Sequence, residues 1–378
     1  MKYASTTLVF VVSALLALGL VMLYSAMMFH SGASFWGGQL LWCLIGLVVC
    51  AVTAKLDYQL LKRISLPMLI IAFVLLVAVL IPGVGIEKNG ARRWLQLPGT
   101  TFQPSEFAKI ALIIALAHYC EKKGRKMSSF KHGLVLPSIG IGIFLVLIFL
   151  EPDWGSTALM AGVCGLMLFL AGTKIRYMLL PVITLIPLAG YLLSQNTVRL
   201  NRIMSWLDPE GTKQGVGYQA WQSLIALGSG GSTGLGLGNG RQKLGFVPEH
   251  QTDFIFSVIG EELGLIATMA VVVAFALFVI CGVYIALKSS DVFGFLLGAG
   301  LTLLIGFQAF INIGVVTSTL PNKGLPLPFI SRGGTNLVVM LFCVGVLLSI
   351  ARFSRSDEPA GSPRLRASEG RLSPFSAG

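Results

Sequence analysis

Asp253 stands where an acidic side chain is costly, at the edge of a long apolar segment, in the run Gly245-Phe246-Val247-Pro248-Glu249-His250-Gln251-Thr252-Asp253-Phe254. A carboxylate at the mouth of a membrane cavity has water on one side and apolar walls on the other. In that setting it can act as a general base on a reacting hydroxyl, here of a lipid-linked substrate. The same residue, after Thr252 and ahead of a helical segment, can instead cap that helix and lie in its N-terminal dipole. The residues alone leave both roles open.

Other side chains with chemical potential gather in a few places. Glu106 and Lys109 are three apart in Gln103-Pro104-Ser105-Glu106-Phe107-Ala108-Lys109, a spacing that puts both on one helical face. They can pair as an interior salt bridge, or Lys109 can face an outward cavity and meet a phosphate. Arg92 and Arg93 precede Trp94 in a polar loop; guanidinium forks suit phosphate oxygens, and the indole suits a sugar or the membrane interface. Glu151-Pro152-Asp153-Trp154 places two carboxylates in one turn. They can divide acid and base work, hold a divalent cation, or form a polar turn. Pro321-Asn322-Lys323-Gly324-Leu325-Pro326-Leu327-Pro328-Phe329-Ile330-Ser331-Arg332 is a stiff, basic loop suited to an anionic headgroup. Glu261 and Glu262 follow Asp253 inside the same apolar segment and need buried partners, as an ion pair or a protonated carboxyl.

The elements that position these residues belong to a membrane. The chain has 378 residues, 55% of them hydrophobic and only 12% charged, with a mean hydropathy of +0.81. Soluble domains carry about 25% charged residues. About ten apolar segments recur, at 6–28, 36–54, 65–83, 104–120, 134–151, 155–172, 176–193, 254–287, 293–317 and 332–353, and about 20 residues suffice to cross. The expected fold is therefore an all-α polytopic membrane protein spanning 1–353. The net charge of +12 lies largely in the short loops 55–64 and 121–133, the Lys174/Arg176 turn and the tail. The positive-inside rule assigns these, and both termini, to the cytoplasm. Segments 84–103, 194–253 and 318–331 then face outward, the largest of them between the seventh and eighth spans. Charge spread over short loops argues against a nucleic-acid partner.

Lys2 ahead of an apolar run resembles a signal peptide, but without a convincing cleavage site the run reads as a retained first span. Six cysteines fall in or beside apolar runs without CxxC or metal-ligand spacing, which excludes a disulfide framework and a zinc site. The run from Gly228 to Gly240 contains GxGxxG-like spacings but lacks the strand and helix of a dinucleotide-binding unit, so it reads as a compact glycine-rich loop. From Ser354 the composition turns to Ser, Pro, Arg and Gly, which predicts a disordered basic tail over 354–378.

Taken in order, Asn89-Gly90-Ala91-Arg92-Arg93-Trp94, Phe102-Gln103-Pro104-Ser105-Glu106, Glu151-Pro152-Asp153-Trp154-Gly155, Arg241 through Gly264 and Pro326-Leu327-Pro328-Phe329-Ile330-Ser331 resemble the SEDS family of bacterial cell-wall polymerases over about residues 5–353. Gly238-Asn239-Gly240-Arg241-Gln242-Lys243-Leu244-Gly245-Phe246 and Asn322-Lys323-Gly324-Leu325-Pro326 look more like its division (FtsW) branch than its elongation (RodA) branch. Two departures stand out: Arg332 where the family usually has Tyr, and Gln251 inserted between His250 and Thr252.

The resemblance implies a peptidoglycan glycosyltransferase of the bacterial inner membrane, working at the division septum on lipid II, with Asp253 as the base on the acceptor GlcNAc 4-hydroxyl. It further implies Arg93, Lys109 and Lys323 at the pyrophosphates, Trp94 and Gln103 as further substrate contacts, and Glu106, Asp153 and Ser331 shaping the cavity. A divalent cation (Mg or Mn), a class B penicillin-binding protein and other membrane proteins of the division machinery are the implied cofactor and partners. A lipid II flippase and an elongation polymerase are the alternatives. A flippase is expected to carry its charges along a path near the bilayer midplane, whereas these gather at the outer mouth.

Overall fold

The computed structural model describes residues 1–27, 32–88, 91–97, 100–195, 197–208, 210–213, 215, 217–241 and 252–356. Helices α1 (Lys2–Met27), α2 (Gly32–Lys55) and α3 (Gln59–Leu80) lead into strands β1 (Gly85–Lys88), β2 (Ala91–Leu97) and β3 (Thr100–Phe102). Then come α4 (Pro104–Lys123), α5 (Leu136–Leu150), α6 (Trp154–Leu170), α7 (Ile175–Ser194), α8 (Thr197–Leu207), α9 (Tyr218–Ser229), α10 (Ile255–Leu287), α11 (Val292–Val316) and α12 (Gly334–Ser356).

Each apolar segment of the sequence coincides with a helix. Among the described residues, seven helical stretches are long and apolar enough to cross a membrane, and Trp154–Leu170 and Ile175–Thr184 are shorter apolar helices. Helix α4 carries Glu106 and Lys109 within its first two turns, and neighbouring helices bury both. In hydrocarbon every backbone group must be satisfied internally, so spans of this composition become helices. They approach closely at small residues: Gly345 of α12 packs on Cys50 and Thr53 of α2, and Gly282 of α10 packs on Thr302 of α11.

The structure departs from an all-helical reading in the loop between α3 and α4. Strands β1, β2 and β3 form an antiparallel sheet in that order, with Ile86 opposite Trp94 and Leu95 opposite Phe102. Glu87 faces Arg92 across it, 3.1 Å apart. Inter-strand N–H···O=C bonds between these short antiparallel strands satisfy the backbone at the membrane surface without a helix. The largest loop is also structured, since it contains α8 and α9. The last helix runs to Ser356, past the expected boundary at 353, and the predicted tail beyond it lies outside the described residues.

Helix α10 is broken at Gly264, whose φ of 77° and ψ of −172° suit only glycine. The glycine-rich segment satisfies the backbone groups freed there. Leu265 N–H donates to Gly231 O (2.9 Å) and Ile266 N–H to Ser232 O (3.3 Å). In return Leu235 and Gly236 N–H donate to the carbonyls of Glu261 and Glu262, each at 3.0 Å. A Cβ at Gly230 or Gly234 would strike this backbone, which explains the glycine density. The expected compact loop is therefore a brace for a broken helix.

Two faces result. On the basic face, Tyr58 donates to Asp291 (2.6 Å), Lys62 pairs with Glu121 (2.7 Å) and Ser349 donates to Leu56 O (2.6 Å), tying together the inner ends of α2, α3, α4, α11 and α12. The opposite face carries the sheet, α9 and segment 318–331.

Candidate active site

Asp253 is half-buried and lies one residue ahead of Phe254, the N-cap of α10. The cap position therefore belongs to Phe254, and the carboxylate stands beyond the helix end rather than at its cap. Its backbone is clamped. Asn312 on α11 donates through Nδ2 to the carbonyls of Asp253 (2.7 Å) and Leu325 (2.6 Å), joining the helix entrance to the proline-rich loop. Ser331 donates to Thr252 O and accepts from Leu327 N–H (2.7 Å). Gln308, one turn before Asn312, donates to Pro326 O (2.9 Å).

Three prolines keep the 321–331 loop from becoming helix, and the α11 amides and Ser331 fix its path against Asp253. Gly324 lies so close that a Cβ there would come within 2.5 Å of Asp253 Oδ2. We predict that Gly324→Ala, whose added methyl meets only a movable carboxylate, keeps the protein folded and displaces that carboxylate. A displacement near 1 Å can cost about 100-fold in rate. Turnover at unchanged melting temperature, compared with wild type, checks this.

The Glu106–Lys109 spacing resolves as an interior pair. Lys109 Nζ lies 2.8 Å from Glu106 Oε1, and the two side chains are 0% and 3% exposed. Asn336 of α12 donates to Glu106 Oε2 (3.0 Å), and Lys109 reaches Gln308 Oε1 (3.5 Å). In this conformation Lys109 presents no exposed ammonium to a phosphate. It joins a chain of contacts running from α12 and α4 through Gln308 to the loop over Asp253. Gln103 precedes α4 at its N-cap position, its Nε2 donates to Ser105 (3.1 Å), and its N–H donates to Thr335 of α12 (3.4 Å).

A second group forms at the α5–α6 turn. Arg93 of β2 donates through Nε to Glu151 O (2.9 Å) and through Nη2 to Pro152 O. Asp153 caps α6 by accepting Ser156 N–H (3.1 Å). Gly155, at the start of α6, packs on Leu325, so this turn adjoins the Asp253 loop. Trp94 stays in the sheet opposite Ile86.

Glu151 is fully buried and neither carboxyl oxygen has a hydrogen-bond partner. Burial, then the charge of Asp153, push its pKa up to about 9, while Arg93 pulls it down. A folded acid with a raised pKa contributes stability that is complete below its unfolded value and lost as pH rises toward 9. We predict that Glu151→Gln flattens this decline, at most about 1.4 kcal/mol per pH unit. Melting temperatures of both proteins between acidic and alkaline pH check it; parallel curves would contradict a neutral Glu151.

Lys323, beside Gly324, is half-buried, and burial holds its pKa below the usual lysine value. Among the described residues no three His, Cys, Asp or Glu side chains group as cation ligands. Asp153 commits Oδ1 to its helix and Arg93 lies against the Glu151 turn. The described side chains at this turn therefore do not assemble a divalent-cation site.

Glu261 and Glu262, both buried, hold the brace of α10. Glu261 accepts Arg241 N–H (2.8 Å), and Glu262 accepts Gly238 N–H (3.0 Å) and the Ser25 hydroxyl of α1 (2.6 Å). Backbone donors and a hydroxyl are thus among the buried partners these carboxyls require. Gln308, Asn312 and Asn336 are uncharged residues inside apolar segments, so the cost of an ionisable group near the bilayer does not single them out. Their signal was present: two amides four apart in one apolar span, and a third opening the next. Residues 245–251 of the acidic run lie outside the described residues.

A family model described as cell cycle protein, FtsW/RodA/SpoVE, matches residues 5–356. The chain is 43% identical over 350 residues to a "Probable peptidoglycan glycosyltransferase FtsW" of Trichlorobacter lovleyi, covering 91% of this chain and 92% of that protein. It is 41% identical over 356 residues to the "Stage V sporulation protein E" of Bacillus subtilis, covering 92% and 97%. Among solved structures it matches a chain of a peptidoglycan synthase complex with a TM-score of 0.81 and 28% identity, covering 93% of this chain and 98% of that one. It also matches the rod shape determining protein RodA of Thermus thermophilus with a TM-score of 0.68 and 27% identity, covering 91% and 95%. With a family model matching residues 5–356 and relatives 41–43% identical over more than nine-tenths of its length, the chain belongs to the FtsW/RodA/SpoVE family of cell cycle proteins.

Proposed function

We propose that this family member is a peptidoglycan glycosyltransferase that polymerises lipid II at the outer face of the bacterial cytoplasmic membrane, with Asp253 as general base. The observation that carries the reading is the held position of Asp253: Asn312 and Ser331 fix the backbone at 252–253, and Gly324 leaves beside Oδ2 the space that a Cβ would fill. Asp253 takes the proton of the acceptor 4-hydroxyl as that oxygen bonds to the anomeric carbon of the donor. The bond from this carbon to the pyrophosphate breaks, the polyprenyl pyrophosphate leaves, and the configuration inverts. Arg93, which spends Nε and one Nη on carbonyls, and half-buried Lys323 supply positive charge at the same face for the departing anion. A class B penicillin-binding protein is the proposed partner, in keeping with the synthase complex that holds a structural neighbour. Identities of 41–43% to division and sporulation relatives, against 27% to a RodA, favour a septal or sporulation role over elongation.

The test reconstitutes purified protein with its transpeptidase partner in liposomes containing labelled lipid II. Glycan strands resolved by gel electrophoresis are expected. Movement of label between leaflets without polymer would replace this reading with the transporter.

A further inference from the structure

The basic face carries more than a topology signal. Lys122, Lys123, Arg125, Lys126 and Lys131 are followed by Lys174 and Arg176, and no Asp or Glu occurs at 122–150 or 154–207. The nearest acid, Glu121, is committed to Lys62 at 2.7 Å. Lys122, Arg125, Lys126, Lys131, Lys174 and Arg176 are all exposed. Like charges this dense repel one another and favour a compensating anion.

The positive-inside rule asks only for charge; it does not ask for architecture. Here the two loops are built into one shelf. A 3-10 turn, Gly124–Ser128, is followed by a π-helical turn, Lys131–Val135, leading into α5. Ser129 donates through Oγ to Lys126 O (2.8 Å), Gly133 N–H donates to Ser129 O (2.8 Å), and Tyr119 donates to His132 O (2.9 Å). Gly133 packs on the Met127 carbonyl, and Met127 is buried beneath the turn. The second loop is fastened to the first: Thr173 donates to Gly133 O (3.2 Å), Ser128 to Gly172 O (3.5 Å), and the Phe130 and Tyr177 rings meet edge to face at 5.2 Å.

Aromatic and apolar groups adjoin these cations. The Arg176 guanidinium stands 5.0 Å from the Tyr177 ring and the Lys123 ammonium 5.9 Å from the Tyr119 ring. Phe130 is exposed, and below it so are Leu136, Ile139 and Ile143 on α5 and Ile175, Leu179 and Ile183 on α7. Cations over an aromatic rim, continuing into exposed aliphatic helix faces, match the profile of one molecule type: a phosphate head on acyl chains.

We propose that the 122–131 and 173–177 loops form a site for an anionic glycerophospholipid of the cytoplasmic leaflet, its phosphate among Arg125, Lys126, Lys131 and Arg176 and its chains along α5 and α7. An acidic protein segment would use the charges alone, whereas a phospholipid joins them to the aliphatic helix faces that run on directly below. The shelf also separates this site from Asp253, which lies on the opposite face, so the two functions can be tested apart.

The experiment titrates purified protein with cardiolipin, phosphatidylglycerol and phosphatidylethanolamine, reading bound lipid by native mass spectrometry and stabilisation by melting temperature. Wild type is expected to retain and be stabilised by the two anionic lipids and not by phosphatidylethanolamine. Arg125→Gln/Lys126→Gln/Lys131→Gln is expected to weaken that binding at least tenfold. Ser128→Ala/Thr173→Val keeps every charge and loosens the shelf, so a severalfold loss there supports a built site. Binding by this second variant equal to wild type would overturn it in favour of diffuse charge. Equal retention of phosphatidylethanolamine would also overturn it, as would tight binding of poly-glutamate without binding of anionic lipid.

Discussion

Asp253→Asn should leave the protein folded and lower lipid II polymerisation by about 100- to 10,000-fold, the usual contribution of a positioned general base. The substitution keeps the volume that Gly324 packs against. Asn312 and Ser331 hold the backbone carbonyls of Asp253 and Thr252, so the clamp survives the change. What disappears is the capacity to accept a proton. At about 1.4 kcal/mol per tenfold, the loss corresponds to about 3–5 kcal/mol of transition-state stabilisation. Single-turnover rates with labelled lipid II, beside melting temperatures for both proteins, separate chemistry from folding. Polymer made by Asp253→Asn at the wild-type rate would sink the assignment of the base.

Lys109→Ala should be the most destabilising single change in the bundle. It leaves Glu106 buried with Asn336 as its remaining bonded neighbour, and stranding one member of a buried ion pair costs about 3–5 kcal/mol. Glu106→Gln/Lys109→Met removes both charges at similar volume and should recover most of the loss. The comparison requires denaturation midpoints of Glu106→Gln, Lys109→Met and the double in the same detergent. Non-additivity is the signature; a double variant as unstable as the sum of its singles would mean the pair is not coupled. Polymerisation by the stable double variant then reports whether Lys109 acts through the loop contacts of Gln308 or also on substrate.

Much of this was legible in one dimension. Apolar length alone places the spans, because a backbone in hydrocarbon has few alternatives to the helix. Charge placement separates the two faces for a similarly general reason. The cost of an ionisable group near the bilayer made Asp253, Glu106, Lys109, Glu261 and Glu262 visible as candidates, although not what each contacts.

Partnership was the part that required three dimensions. Glu106 and Lys109 could pair or diverge on the same helical face, and the choice rests on Asn336 and Gln308, more than 190 residues away. Glu261 and Glu262 called for buried partners, and these include backbone N–H groups of a glycine-rich segment folded against the helix break and the Ser25 hydroxyl of α1. Residue types and spacing along one chain thus determined the spans, the two faces and the candidate side chains, since these follow from local composition and solvent. Tertiary structure alone decided that Asp253 lies outside its helix cap, held by Asn312 and faced by Gly324, because such contacts depend on which helices meet and at what depth.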